Sequence, residues 1–207
     1  MSLSLKRAQH IGGFTLLELI VVIAIIALLA VLVIRSGGEP TGSKRRVTAT
    51  TMDAIRSGLE RYYTEFGEYP EPVNPDETIE IMPGKVYRVG GAKCLYQALR
   101  GDGFDAIKQD QGKGPPQSDG QIGADEISFA IIKEMPEGAW RKMGAHYFLV
   151  DAFGRPFQYI KADTEKKNTI NSTYDLWSFA DDDKHTLARS KDTESKPGLD
   201  AKWIKNW

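Results

Sequence analysis

The chain has 207 residues, a formal net charge of −1 and 10% aromatic residues. That length favours one soluble domain beside one apolar segment, and the near balance of charge leaves no electrostatic footprint for nucleic acid. Cys94 is the single cysteine, which excludes an intramolecular disulfide.

Residues 1–13 read as a short leader. Lys6 and Arg7 hold it on the cytoplasmic side, and everything after residue 35 is exported. From Phe14 to Ile34 every residue is apolar except Thr15 and Glu18. As a helix this run measures roughly 31 Å, enough to cross a hydrocarbon core. It is longer than the core of a secretory signal, about 7 to 15 residues, and Arg35-Ser36-Gly37-Gly38 ends it. A carboxylate in such a helix costs about 2.5 to 3.5 kcal/mol, so Glu18 calls for a partner. No Lys, Arg or His lies between residues 14 and 34. A cut between Gly13 and Phe14 creates a cationic amine one turn from Glu18, able to neutralise it within a chain or between neighbours.

Gly37, Gly38 and Pro40 predict an interruption, and an amphipathic helix then runs over 43–66. Its apolar face is expected to carry Val47, Thr51, Ala54, Ile55, Leu59, Tyr62, Tyr63 and Phe66. Gly67 caps it, and Pro70 prevents its resumption. Ile79–Met82 and Lys85–Val89 read as a hairpin across Pro83-Gly84, and residues 92–100 as a short helix with Cys94 a buried small hydrophobe. Residues 101–123 read as a surface loop whose Asp102 and Asp105 serve turns. Periodicity does not decide 127–132. His146–Val150, Pro156–Lys161 and Tyr174–Ala180 read as a three-stranded antiparallel meander.

Gly13-Phe14-Thr15-Leu16-Leu17-Glu18 behind a basic leader resembles the prepilin cleavage and methylation motif of type IV pilins, type II secretion pseudopilins and competence pilins. Phe66-Gly67-Glu68-Tyr69-Pro70 is similar to the ending of the long helix in major pseudopilins. Asp151-Ala152-Phe153-Gly154-Arg155-Pro156-Phe157-Gln158-Tyr159 resembles their Asp-Pro-Trp-Gly-Asn-Pro-Tyr-Gln-Tyr stretch. Tyr174-Asp175-Leu176-Trp177-Ser178-Phe179-Ala180-Asp181 resembles the strand leading into their Ser-x-Gly-x-Asp-Gly turn. Ala180 and Asp183 depart from that pattern, each standing where the family has glycine.

The resemblance implies an α+β, pilin-like fold: a long N-terminal helix, half membrane-spanning and half amphipathic, packed on a small antiparallel β-sheet. The divisions are a leader at 1–13, a fibre-core helix at 14–35 and a periplasmic domain at 36–207. It implies cleavage after Gly13, N-methylation of Phe14, and a charge-pairing role for Glu18 in assembly. The implied partners are prepilin peptidase, an inner-membrane assembly platform with its ATPase, minor pseudopilins, and copies of the chain itself in a helical homopolymer. The chain then waits in the bacterial inner membrane, a single-pass protein with its domain in the periplasm, before entering a fibre that drives export.

Asp181-Asp182-Asp183 is the one carboxylate cluster with a choice of roles, a solvated turn or a metal site. The resemblance implies calcium, with Asp181, Asp183, Ser178 and a later acid, Asp192 or Asp200, as ligands. Lys184, Arg189 and Lys191 stand against it. No enzyme signature is present: His146 and His185 are far apart in sequence, and there is no HExxH, Cys–His pairing or G-x-S-x-G. Two other readings remain open, a pilin for adhesion, motility or DNA uptake, and a membrane-anchored enzyme or ligand-binding domain.

Overall fold

The computed structural model describes residues 16–36, 41–108, 117–136 and 138–207, with side chains in the first helix described over 16–29. The chain divides into two units, Met1–Pro40 and Thr41–Trp207. The break expected at Gly37, Gly38 and Pro40 lies outside the described residues.

In the first unit, α1 (Leu16–Ser36) is an uninterrupted helix. Its large apolar residues between Leu16 and Leu29 are 45% to 76% exposed. Among the described residues no helix is long and apolar enough to cross a membrane.

In the second unit, α2 (Thr41–Phe66) buries Thr48, Met52, Ile55, Gly58, Leu59 and Tyr62. This face is turned from the one the sequence pattern predicts. Val47 and Tyr63 are 53% and 47% exposed, and Tyr63 stacks outside on Tyr69. Gly58 supplies the reason. A Cβ there would stand 2.8 Å from Leu99 Cδ2, so its bare backbone admits α3 (Gly90–Arg100) and draws the neighbouring turn inward. Hydrophobicity alone does not mark a glycine as part of a core face. At the helix end Gly67 takes φ 79° and donates its N–H to the Tyr63 carbonyl at 2.8 Å.

β1 (Thr78–Met82) and β2 (Lys85–Arg88) form the expected antiparallel hairpin. The expected meander is divided. β4 (His146–Leu149) pairs with β3 (Trp140–Met143), a strand absent from the sequence reading, while β5 (Gln158–Lys161) pairs with β6 (Tyr174–Ser178). A lone bridge, Val150 with Pro156, joins the two. Proline has no N–H to extend a ladder there, and the turn at 151–154 bends the chain away. The third strand beside β6 is β7 (Ile204–Lys205), from the tail. The result, among the described residues, is an α+β arrangement of helices with three small antiparallel sheets rather than one.

Two apolar clusters hold the second unit together. One joins α2 and α3 to Tyr147, Leu149, Phe157, Tyr159 and Leu176; the other gathers Tyr87, Val89, Phe148, Trp177, Phe179 and Trp203. Cys94 is fully buried in the first, and burial pushes its thiol pKa up. The 101–123 segment differs from a plain surface loop. Asp102 is fully buried and accepts from the Tyr96 hydroxyl at 2.6 Å and from the amides of Asp119 and Gly120 at 3.0 Å. Residues 127–132 form turns and bends, and Ile132 donates its N–H to the Leu99 carbonyl.

Candidate functional site

Two regions carry the sequence-predicted residues, one in each unit. Gly13 and Phe14 lie outside the described residues. Glu18 lies in the described part of α1, exposed among leucines and valines.

The second region is built where the turn after β4 meets the end of β6. Asp151 folds its own turn: Oδ1 accepts the amides of Phe153 at 2.8 Å and Arg155 at 2.9 Å, and Gly154 closes the turn at φ 76°. Its Oδ2 accepts the Ser178 hydroxyl at 2.5 Å, and Ser178 Oγ in turn accepts the Ala180 amide at 2.8 Å. Ala180 takes φ 49°, a left-handed conformation that explains why glycine suits this position. Arg155 Nη1 then donates to the carbonyls of Ala180 and, at 2.8 Å, Asp182.

The three consecutive aspartates point to different partners. Asp181 pairs with Arg45 of α2 and lies 3.7 Å from Lys202. Asp182 is buried, with His185 Nδ1 at 2.8 Å, the Trp203 indole N–H at 3.0 Å and the Lys184 amide at 3.0 Å. Asp183 lies 3.7 Å from Lys85, which also donates to its carbonyl. Asp192 accepts the Arg189 amide, and Asp200 pairs with Lys205. Ca²⁺ needs six to eight oxygens at about 2.3 to 2.6 Å around one point. Asp181, Asp183, Ser178 and Asp192 are not brought together in that way. Among the described residues no group of three or more His, Cys, Asp or Glu is placed to hold a metal ion.

Catalytic candidates fare no differently. Ser178 is fully buried and committed to Asp151. His146 Nδ1 is 3.5 Å from Glu77, whose carboxylate also holds Lys93. Arg155, Asp151, Arg45 and Trp203 carry the turn at 180–183, a role that no sequence pattern assigned to them. One signal was present: an arginine flanked by Gly154 and Pro156, with Phe153 and Phe157 on either side.

The buried carboxyls shift in opposite directions. Burial alone pushes Asp182 up, but the His185 ring, the Lys184 amide and the Trp203 indole outweigh it and hold the group below the ordinary carboxylate range. At Asp151 burial prevails over the Ser178 hydroxyl and two amides, so that carboxyl is raised. A carboxyl lowered by folding contributes fully above its unfolded value, about 3.9, and that contribution is lost as pH falls through the folded value. Asp151 has the opposite sign: it costs stability at neutral pH, and the cost shrinks on acidification. Asp182→Asn should therefore lower the melting midpoint at pH 7 by roughly 5 to 10 °C, about 2 to 3 kcal/mol of charge-assisted bonding. The gap to wild type should narrow steadily as pH falls below the ordinary carboxylate range and through the lowered folded value. A gap that does not change on acidification would show that its charge contributes nothing.

Comparison with known proteins places one segment. Residues 9–34 match the family model described as the prokaryotic N-terminal methylation motif. No curated protein and no solved structure matches the chain. The N-terminus thus carries a prokaryotic N-terminal methylation motif, a type IV pilin-like prepilin leader.

Proposed function

We propose that the chain is a major subunit of a type II secretion-type pseudopilus. Prepilin peptidase cuts after Gly13 and methylates the Phe14 amine. The apolar segment 14–35 then anchors the subunit in the inner membrane, with residues 36–207 in the periplasm. An ATP-driven platform draws subunits from the membrane into a helical fibre with that segment at its core. Growth of the fibre pushes substrates outward, so the subunit does mechanical work and makes no bonds.

The observation that carries this reading is the methylation motif at 9–34, joined to an exposed apolar helix and followed by a separate α+β unit. The choice of secretion over adhesion, motility or DNA uptake rests on the blocks 151–159 and 174–181, together with a net charge of −1 that offers nothing to nucleic acid. Deleting the gene should trap secreted enzymes in the periplasm, and the cloned gene should release them. Normal secretion with loss of surface fibres, twitching or DNA uptake would move the chain to the pilins.

Assembly has its own test. The Phe14 amine offered to the Glu18 of an adjacent copy fixes the axial register between subunits. Glu18→Val should still insert, since it removes a charge from the apolar segment. A pair worth about 1.4 kcal/mol at each contact changes each subunit's addition about tenfold, enough to abolish long fibres. Fibres of normal length from Glu18→Val would remove this role.

A further inference from the structure

The turn at 180–183 is arranged as a cation site is arranged. Two backbone carbonyls, of Ala180 and Asp182, converge on one point, and Ala180 adopts φ 49° to aim its own. Asp151 adds a buried carboxylate from the turn after β4, and the fully buried Tyr87 ring packs on the same side against Phe179. Arg155, Asp151, Asp182 and Asp183 are all close enough to Tyr87 for their charges to act on its hydroxyl. At the convergence of the carbonyls lies the Arg155 guanidinium, itself 9% exposed and 5.7 Å from the Phe153 ring centroid.

We infer that Arg155 is the built-in cation of this turn, fastening the C-terminal region where a bound metal would otherwise be needed. A guanidinium suits the task because its charge is permanent and the two N–H bonds of Nη1 are fixed in its plane, one for each carbonyl. It arrives from Asp151-Ala152-Phe153-Gly154-Arg155, a turn that the same Asp151 organises, so cation and counter-charge come from one five-residue piece. The lock continues outward. Asp182, whose carbonyl Arg155 holds, accepts the Trp203 indole, and Arg45 joins Asp181 to the Lys202 carbonyl at 2.7 Å. Turn, tail and the start of α2 are thereby fastened without a disulfide.

The test uses the full-length chain in detergent, followed by tryptophan fluorescence, since Trp177 and Trp203 stack beside the lock at 6.0 Å. A calcium site saturated about a hundredfold over its Kd raises a midpoint by roughly 5 to 10 °C. Wild type should melt within about 1 °C in EDTA and in millimolar Ca²⁺. Trypsin in EDTA should leave the tail intact at Lys184, Arg189 and Lys191. Arg155→Gln orphans two carbonyls and should lower the midpoint by roughly 5 °C or more in either buffer. Should that variant fail to fold, Arg155→Lys decides: it keeps the charge but its ammonium ends one bond short of Nη1, and its tail should be cut at Lys184 and Arg189 before global unfolding. A wild-type midpoint or tail protection that depends on Ca²⁺ overturns the inference. So does an Arg155→Lys tail as resistant as wild type.

Discussion

Mass spectrometry of Gly13→Val is expected to find the chain with residues 1–13 still attached, whereas wild type begins at Phe14 with one added methyl group. Glycine is the smallest residue, and a peptidase subsite shaped around it has no room for the branched side chain of valine. Each methylene misfitted into such a subsite is worth about 1 to 3 kcal/mol, so the processed fraction should fall roughly a hundredfold or more. The consequence for assembly is electrostatic. Without the cut the Phe14 nitrogen remains an uncharged amide, and Glu18 loses the cation that cleavage would bring within one turn. Leader-bearing subunits should therefore accumulate in the membrane and yield no fibres. Efficient cleavage of Gly13→Val in a peptidase-positive host would detach the processing role from Gly13, and wild type that retains Met1 would sink the reading as a whole.

What could be read from the residues was what is local in sequence. The β1–β2 hairpin follows from Pro83-Gly84 between two alternating runs, and α3 from the spacing of Leu95, Tyr96 and Leu99. Pairing at a distance was not legible. Met143 and His146 face each other across a turn at Gly144, φ 60°, yet Trp140–Met143 contains two exposed basic residues and shows no strand-like alternation of its own. Its partner β4 imposes the strand. β7 is two residues long and exists because Trp203 is held by Asp182 and Trp177. The same limit governs the acidic turn. Asp181 to Asp183 are conspicuous as a cluster, but Arg45 is 136 residues from Asp181, and Lys85 is 98 from the Asp183 carbonyl it binds. Composition shows that cations exist; which carboxylate each one meets is set by the packing of α2 and the hairpin. Asp102 makes the point from the other side. It reads as turn chemistry, but it is a buried acceptor because Tyr96, six positions earlier on α3, points its hydroxyl at it.

Gly91→Ala should be among the most damaging single changes in the second unit. In an ordinary helix the substitution stabilises by about 0.5 to 1 kcal/mol, because alanine loses less backbone freedom than glycine. Gly91 opens α3 directly against β5. An added Cβ would stand 2.4 Å from the Tyr159 carbonyl oxygen and 2.9 Å from its nitrogen, both backbone atoms with no rotamer to move. Tyr159 cannot retreat easily. It is paired with Leu176 of β6, and its hydroxyl donates to the Pro70 carbonyl at 2.8 Å. Relief must come from lifting α3, which would pull Leu95 and Leu99 out of the cluster shared with α2. Overpacking of this kind costs about 3 kcal/mol or more, well beyond the gain in propensity, and should lower the midpoint by roughly 6 to 12 °C. Gly42→Ala is the matched control. It lies in α2 with nothing within 4 Å of its added Cβ, so propensity acts alone there and the midpoint should hold or rise. If Gly91→Ala melted with Gly42→Ala, the close approach of α3 to β5 would be wrong, because no flexible side chain is available to absorb that methyl group.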